Sequence, residues 1–324
     1  MFDLSQIQGI IARETEGLQF PEAPIDLYDP IRYTLGLGGK RMRPALLVLS
    51  CLGVGGTLEQ ALKPALGVEV FHNFTLLHDD IMDDAPLRRN KATVHTKWNS
   101  NIAILSGDVM FAQAFRLVAE APAVCLKQVI DVFLKAAIEV CEGQQWDMDF
   151  EPRTDVSIDE YLNMIRMKTA VLLGASLQMG ALCGNADAET GRKLYDFGTN
   201  LGIAFQLQDD LLDVYGDPDK FGKRVGGDIV SNKKTYLKLK ALEKANSDAK
   251  KDLMHWYGSK EFDEIEKVSA VRNLFNSLDI KQETEQQINA YFNSAIASLE
   301  GVSFDANYKL QLIQMASALM LRES

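Results

Sequence analysis

The chain is poor in the residues that mark redox, thiolate or nucleic-acid chemistry. Among 324 residues there are four cysteines and four histidines, and 34 basic side chains are outnumbered by 45 acidic ones. A net charge of −11 argues against a nucleic-acid-binding face, which needs a basic patch. Cys51, Cys125, Cys141 and Cys183 all sit in apolar stretches without metal-ligand spacing, so buried free thiols in a reducing cytosol are expected, not a disulfide framework. No apolar run reaches the ~18–20 residues of a membrane span. The opening MFDLSQIQGII lacks the basic region and long apolar core of a signal peptide. A soluble cytoplasmic protein with no transmembrane segment is the expectation. Strand signals are scarce too: no Asn-Gly or Asp-Gly hairpin separates alternating β-branched runs. With no Ser/Gly-rich linker and no short-period repeat, residues 1–324 read as a single helical domain.

What is present is helical periodicity, in a chain 47% apolar and 24% charged with ample material for a core. Thr57 and Gln60 have capping-box spacing before a long apolar segment that runs toward Asp84. Ser157 and Glu160 repeat that signal before Tyr161 to Cys183, which Gly184 would close. A third segment, about Asp187 to Tyr215, ends at Gly216-Asp217-Pro218. Charged helices follow, with Trp256, Ile265, Val268, Leu274 and Leu278 as expected inward positions. The fold class is all-α: one bundle of about ten or more helices, the central ones apolar nearly all round.

Two acidic clusters stand at the ends of apolar segments. Asp79-Asp80-Ile81-Met82-Asp83 and Asp209-Asp210-Leu211-Leu212-Asp213 share the pattern D-D-x-x-D. Residues four apart lie on one helical face, where like charges destabilise a helix unless a cation sits between them. One such cluster could be a solvated helix end; two copies point to hard-cation chemistry. Magnesium takes one or two carboxylates plus phosphate oxygens, so the clusters could hold metal around a diphosphate.

The positive charge is gathered around them. Gly38-Gly39-Lys40-Arg41-Met42-Arg43-Pro44 places three cations after a glycine pair, and Arg88-Arg89 follows the first cluster. Arginine forks and mobile lysines suit phosphate. The glycine-plus-lysine stretch is not a nucleotide loop, because G-x-x-x-x-G-K-[ST] and a preceding strand are missing.

GGKRMRP, HNFTLLHDDIMDDAPLRRN, MKTA, FQLQDDLLDVYGD and GK…GGDIVSNKKTY, in this order over about residues 30 to 240, resemble the trans-isoprenyl diphosphate synthase (polyprenyl synthetase) family of short-chain farnesyl and geranylgeranyl type. The resemblance implies an isoprenoid synthase fold around a central apolar cavity, a homodimer, and about three magnesium ions per active site. It implies that Asp79, Asp80, Asp83, Asp209, Asp210 and Asp213 serve the metal, with Asp79, Asp83 and Asp209 as direct ligands. Lys40, Arg43, His72 and Arg89 would hold isopentenyl diphosphate, and Arg88, Lys168, Lys223 and Lys233 the allylic prenyl diphosphate. Thr169 and Gln206 would line the forming carbocation, while Gln144 and Asp147 fall on a G-Q-x-x-D pattern whose role stays open between packing and function. Asp79, Asp83, Arg88, Lys168, Thr169, Gln206 and Asp209 form the implied catalytic set.

The implied reaction is ionisation of the allylic diphosphate, attack by the isopentenyl double bond, and proton loss, yielding a C15–C20 product and pyrophosphate. Water would trap the cation, so closure of the segment from Asp217 to Lys234 is expected. Product length would be set beneath the first cluster by Phe71, Phe74 and Thr75. Small Thr75 would leave space and bulky Phe74 restrict it, and no insertion interrupts D-D-x-x-D, a departure from typical bacterial farnesyl synthases. The resemblance so implies a C15–C20 product, leaning slightly to C20 geranylgeranyl over farnesyl diphosphate. A class I terpene cyclase usually carries a different second metal motif and needs no second diphosphate pocket; a non-catalytic regulatory subunit would be expected to lose aspartates. The chain ends ALMLRES without a basic triplet, so no substrate contact is assigned there.

Overall fold

The structure is a computed structural model that describes residues 2–217 and 225–320. In chain order the helices are α1 (Leu4–Glu16), α2 (Ile25–Gly36), α3 (Met42–Gly53), α4 (Leu58–Met82), α5 (Val94–Lys97), α6 (Ser100–Val118), α7 (Leu126–Phe150), α8 (Ile158–Ile165), α9 (Val171–Cys183), α10 (Ala188–Tyr215), α11 (Gly227–Val230), α12 (Tyr236–Lys244), α13 (Ser247–Gly258), α14 (Glu264–Ser277), α15 (Ile280–Ser298) and α16 (Ala306–Met320). The fold is all-α, as expected. Among the described residues the sheet consists of one hairpin, Leu87–Arg88 against Lys91–Ala92. The chain divides into two compact units: residues 1–135, 175–195 and 302–311 form the first, and residues 136–174, 196–301 and 312–324 the second.

In the first unit, α4 is the central element. Gln60 reaches back to the Thr57 amide at 2.8 Å, completing the expected capping box at its start. Ala65, Leu66, Val68, Val70 and Phe71 are buried in succession, the all-round burial of a helix enclosed by others. Gly67 lets α6 approach: a β-carbon there would stand 2.8 Å from the Ala114 carbonyl. α6 is also the one described helix long and apolar enough, by length and composition, to cross a membrane.

In the second unit, the core gathers Phe150, Leu207, Leu211, Leu237, Val271 and Phe275 from four helices. Burying a side chain such as Phe275 contributes roughly 1.5–3 kcal/mol. Two expectations are corrected by burial. Ile265 is 75% exposed, and α14 instead turns Lys267, Val271 and Phe275 inward at i, i+4 and i+8. Three cysteines are buried, but Cys141 is exposed.

Tyr161 to Cys183 is not one regular helix. α8 runs into a π-helical turn, Arg166–Ala170, before α9 begins. The Val171 amide donates to the Arg166 carbonyl five residues back. Such turns are frequent at functional sites.

Candidate active-site groups

In the first unit, the aspartates stand at the C-terminal end of α4, where the helix dipole disfavours negative charge by about 0.3–1 kcal/mol per group. Asp80 is buried, and Arg88 from the hairpin meets it with Nε 2.9 Å from each carboxylate oxygen. Asp83 and Asp84 are exposed at the helix end. The turn of the hairpin holds Arg89 and Asn90 at positive φ, 52° and 61°. Such backbone costs a residue other than glycine on the order of 1 kcal/mol or more, and it points to a positional role for Arg89. The Arg89 guanidinium bonds the Gly38 carbonyl and packs against Gly39, where a β-carbon would lie 2.8 Å from Nη2. Gly39, at φ 134°, is required by its backbone conformation, and a side chain there would displace the Arg89 guanidinium.

The neighbouring cations divide by burial. Lys40 is exposed, whereas Arg43 lies with Nη1 3.1 Å from His72 Nε2 on α4. Burial, followed by Arg43 and its neighbouring arginines, holds the His72 imidazole well below its ordinary pKa and therefore neutral. Burial also lowers Arg43 to about 10, and its Nε has no partner within the described residues. Arg41 is turned away from this group. It is buried, bonds Glu69 and donates to the Leu35 carbonyl at 2.8 Å. Asn73 donates to the same Glu69 carboxylate at 2.7 Å. This buried pair fixes the basic turn to α4, a role that the sequence pattern does not separate from those of Lys40 and Arg43.

Beneath the first cluster, Phe74 is half-buried and Phe71 fully buried. Both rings pack on Phe111 of α6, at centroid distances of 5.6 and 6.0 Å. Thr75 donates to the His72 carbonyl at 2.8 Å. Phe111 is the residue that sequence spacing missed, since it comes from a different helix.

In the second unit, a cavity of about 450 Å³ is lined by Asp147, Lys168, Thr169, Gln206, Asp209, Asp210, Asp213, Asp228, Lys233 and Lys234, among others. Every described residue that the sequence assigned to this half of the chemistry, Gln144 apart, borders it; Lys223 lies outside the described residues, as do residues 218–224 of the segment expected to close. The π-helical turn brings Lys168 and Thr169 to the cavity. Gly143 of α7 permits this, because a β-carbon there would lie 2.3 Å from the Lys168 amide. Asp147, one turn further along α7, accepts a 2.6 Å bond from Lys168 Nζ. Gln144 is buried with its Oε1 unpaired among the described residues.

The acidic wall is strongly coupled. Burial, with Asp228 close by, pushes the Asp210 carboxyl up to about 7 even though Tyr161 donates a hydrogen bond to it. Burial and Asp228 likewise raise Asp213 to about 6. Asp228 and Gly226 tie back through their amides to the Asp213 side chain and carbonyl, at 3.0 and 2.6 Å. Among the described residues no three His, Cys, Asp or Glu side chains converge into a closed metal site. The crowded carboxylate oxygens, with Asp210 and Asp213 raised, are the hard donors that magnesium takes alongside water and phosphate oxygens.

An all-helical fold with two D-D-x-x-D helix ends and separate groups of phosphate-type cations defines a diphosphate-handling enzyme. The comparisons narrow this class. Residues 25–275 match the polyprenyl synthetase family. A geranylgeranyl diphosphate synthase of Sulfolobus acidocaldarius is 41% identical over 282 residues, covering 86% of this chain and 84% of that one. A crystal structure of a geranylgeranyl pyrophosphate synthase superimposes with a TM-score of 0.94 at 45% identity over all of both chains. A more distant geranylgeranyl pyrophosphate synthase, from Corynebacterium glutamicum, was solved with isoprenyl diphosphate and magnesium; it is 27% identical, with a TM-score of 0.87 over 99% of this chain and 100% of that one. The chain belongs to the polyprenyl synthetase family and is a trans-prenyltransferase of the short-chain isoprenyl diphosphate synthase type.

Proposed function

We propose that the protein makes geranylgeranyl diphosphate from isopentenyl diphosphate and allylic primers of C5 to C15. The observation that carries this reading is the aromatic stack of Phe71, Phe74 and Phe111 beneath the first aspartate cluster. A growing chain that descends past Thr75 meets these rings. The names of the similar proteins from Sulfolobus and Corynebacterium favour the same product.

The two units supply different groups. Arg43, Arg89 and Lys40 hold the isopentenyl diphosphate through direct charge, and neutral His72 assists by accepting a hydrogen bond from Arg43 at Nε2. In the second unit, Lys168 and Lys233 hold the allylic diphosphate, and Asp147 orients Lys168. Arg88 contributes in the first unit while bound to Asp80. Asp79, Asp80, Asp83, Asp209, Asp210 and Asp213 are the carboxylates that would hold magnesium, three ions in all. Magnesium, when bound, neutralises charge on the departing diphosphate. Lys168 and Lys233 add preorganised positive charge to the same leaving group. Thr169 and Gln206 present oxygen dipoles to an allylic cation without attacking it, and the apolar wall of Met164, Ile165 and Leu212 keeps water away. The released pyrophosphate takes the proton that restores the double bond.

We further read the protein as a cytoplasmic homodimer. Ile104 and Leu105 on α6 are 44% and 58% exposed, so this membrane-length helix has an apolar face for a second copy to cover. Sedimentation at micromolar concentration tests this: a dimer is expected, and a monomer would remove it. Chromatography of products formed with magnesium, isopentenyl diphosphate and each primer tests the main reading. A C20 product is expected, lengthening in Phe74→Ala and Phe111→Ala. No elongation would overturn the activity, and an unchanged product in both variants would remove the aromatic floor.

A further inference from the structure

Two lysines outside every recognised motif converge on one residue. Lys267 is fully buried on α14, and its ammonium lies 2.6 Å from Asn232 Oδ1 and 3.5 Å from the Val230 carbonyl. Lys238, buried on α12, donates at 2.9 Å to the Asn232 backbone carbonyl. Asn232 is therefore gripped by its side chain and by its backbone. It sits at φ 60°, in the left-handed region that asparagine tolerates better than most residues. The next residues, Lys233, Lys234 and Thr235, line the cavity. The Lys233 amide bonds the Asp228 carbonyl at 3.0 Å, so the turn at Asn232 sets where these side chains start.

Burying two ammonium groups side by side is expensive, and apolar side chains would serve packing better. Their partial relief comes from aromatic faces: Lys238 lies 3.9 Å from the Tyr257 ring centroid and Lys267 4.0 Å from that of Phe262. Burial, then Lys234 and Lys267, pull Lys238 down to about 7. A brace built at such cost fixes something that needs fixing.

We propose that Lys238 and Lys267 are positioning residues that clamp Asn232 and thereby aim Lys233 at the allylic diphosphate. This rests on the reading of the cavity as the allylic site. Fixed cations lose little freedom on meeting an anion, so the clamp tightens allylic binding and leaves the isopentenyl group alone.

Steady-state kinetics on Lys267→Met, Lys238→Met and Asn232→Gly tests the clamp, with Lys233→Ala as reference and thermal melts on each. Asn232→Gly keeps the left-handed backbone and removes the acceptor of Lys267, so it serves where the lysine variants fail to fold. The KM for the allylic substrate is expected to rise about ten-fold, the scale of one lost charge-assisted hydrogen bond, with the isopentenyl KM changed less than about two-fold. Equal rises in both KM values, or neither, would mean that the lysines merely support the fold and would overturn the clamp. A raised allylic KM in Lys233→Ala alone would refute the clamp and leave the cavity's reading standing. An unchanged allylic KM in Lys233→Ala would refute both.

Discussion

At the end of α4, the middle aspartate of D-D-x-x-D is met by a guanidinium; at the end of α10, its counterpart is met by a hydroxyl. Arg88 brings a permanent positive charge to Asp80, whereas Tyr161 brings only a hydrogen bond to Asp210, and Asp228 adds a further carboxylate nearby. The same five-residue pattern therefore produces two electrostatic environments. The first cluster is part-neutralised by the chain itself. In the second, burial and Asp228 push Asp210 and Asp213 toward protonation, with Lys233 offsetting part of this at Asp213. A repeated motif need not mean a repeated site.

The comparison can be broken at several points. The largest effect is expected in Lys168→Ala, which removes a preorganised cation from the second unit's cavity. A fall in kcat of about 10²–10³ follows from the loss of one such electrostatic contact. Rapid-quench turnover at saturating substrate measures it, and near-wild-type kcat would detach Lys168 from the chemistry. Next comes Arg88→Met. It leaves buried Asp80 without its cation, at a cost of about 2–3 kcal/mol, less than for a fully enclosed pair because Arg88 is partly exposed. Tyr161→Phe should cost less, about 1 kcal/mol, since it removes a single hydrogen bond and Asp210 can take up a proton instead. Denaturant unfolding of the two variants reads the contrast; equal losses would mean that the two clusters are balanced alike.

The smallest effect concerns pH. His72 is held below its ordinary pKa in the folded chain, so the unfolded chain binds the proton first as pH falls. Stability is then lost as pH drops below about 6.5 toward the folded value. In His72→Gln this part of the acid slope should disappear, which melts between pH 7 and 5 would reveal; an unaltered slope would mean that His72 is not held neutral.

Elements of the chain differ in how far their sequence announces them. The helix expected from Asp187 to Tyr215 runs from Ala188 to Tyr215, because Asp187 caps it and Gly216 follows it. Capping boxes and stop residues are local, and local signals are legible. The π-helical turn at Arg166–Ala170 is not, since it depends on Gly143 and Gly202 allowing other helices to press against it. The Arg88–Arg89 hairpin lacks the usual Asn-Gly turn and was hidden for that reason. On α14 the apolar Ile265 faces out while Lys267 is buried, an inversion that hydrophobic periodicity cannot anticipate. The aspartates and basic motifs were legible as residues. Their partners, Glu69, Tyr161, Asp228, Phe111 and the Asn232 clamp, come from distant parts of the chain and were not.

The central claim is a division of labour: direct cations for isopentenyl diphosphate and metal-bridged carboxylates for the allylic diphosphate. Titration calorimetry of each ligand, with magnesium and with a chelator, tests it most directly, using a non-ionisable allylic thiodiphosphate. Isopentenyl diphosphate should bind with little change in affinity when magnesium is removed, while the allylic analogue should lose most of its binding. Equal dependence of both ligands on magnesium, or of neither, would contradict the account.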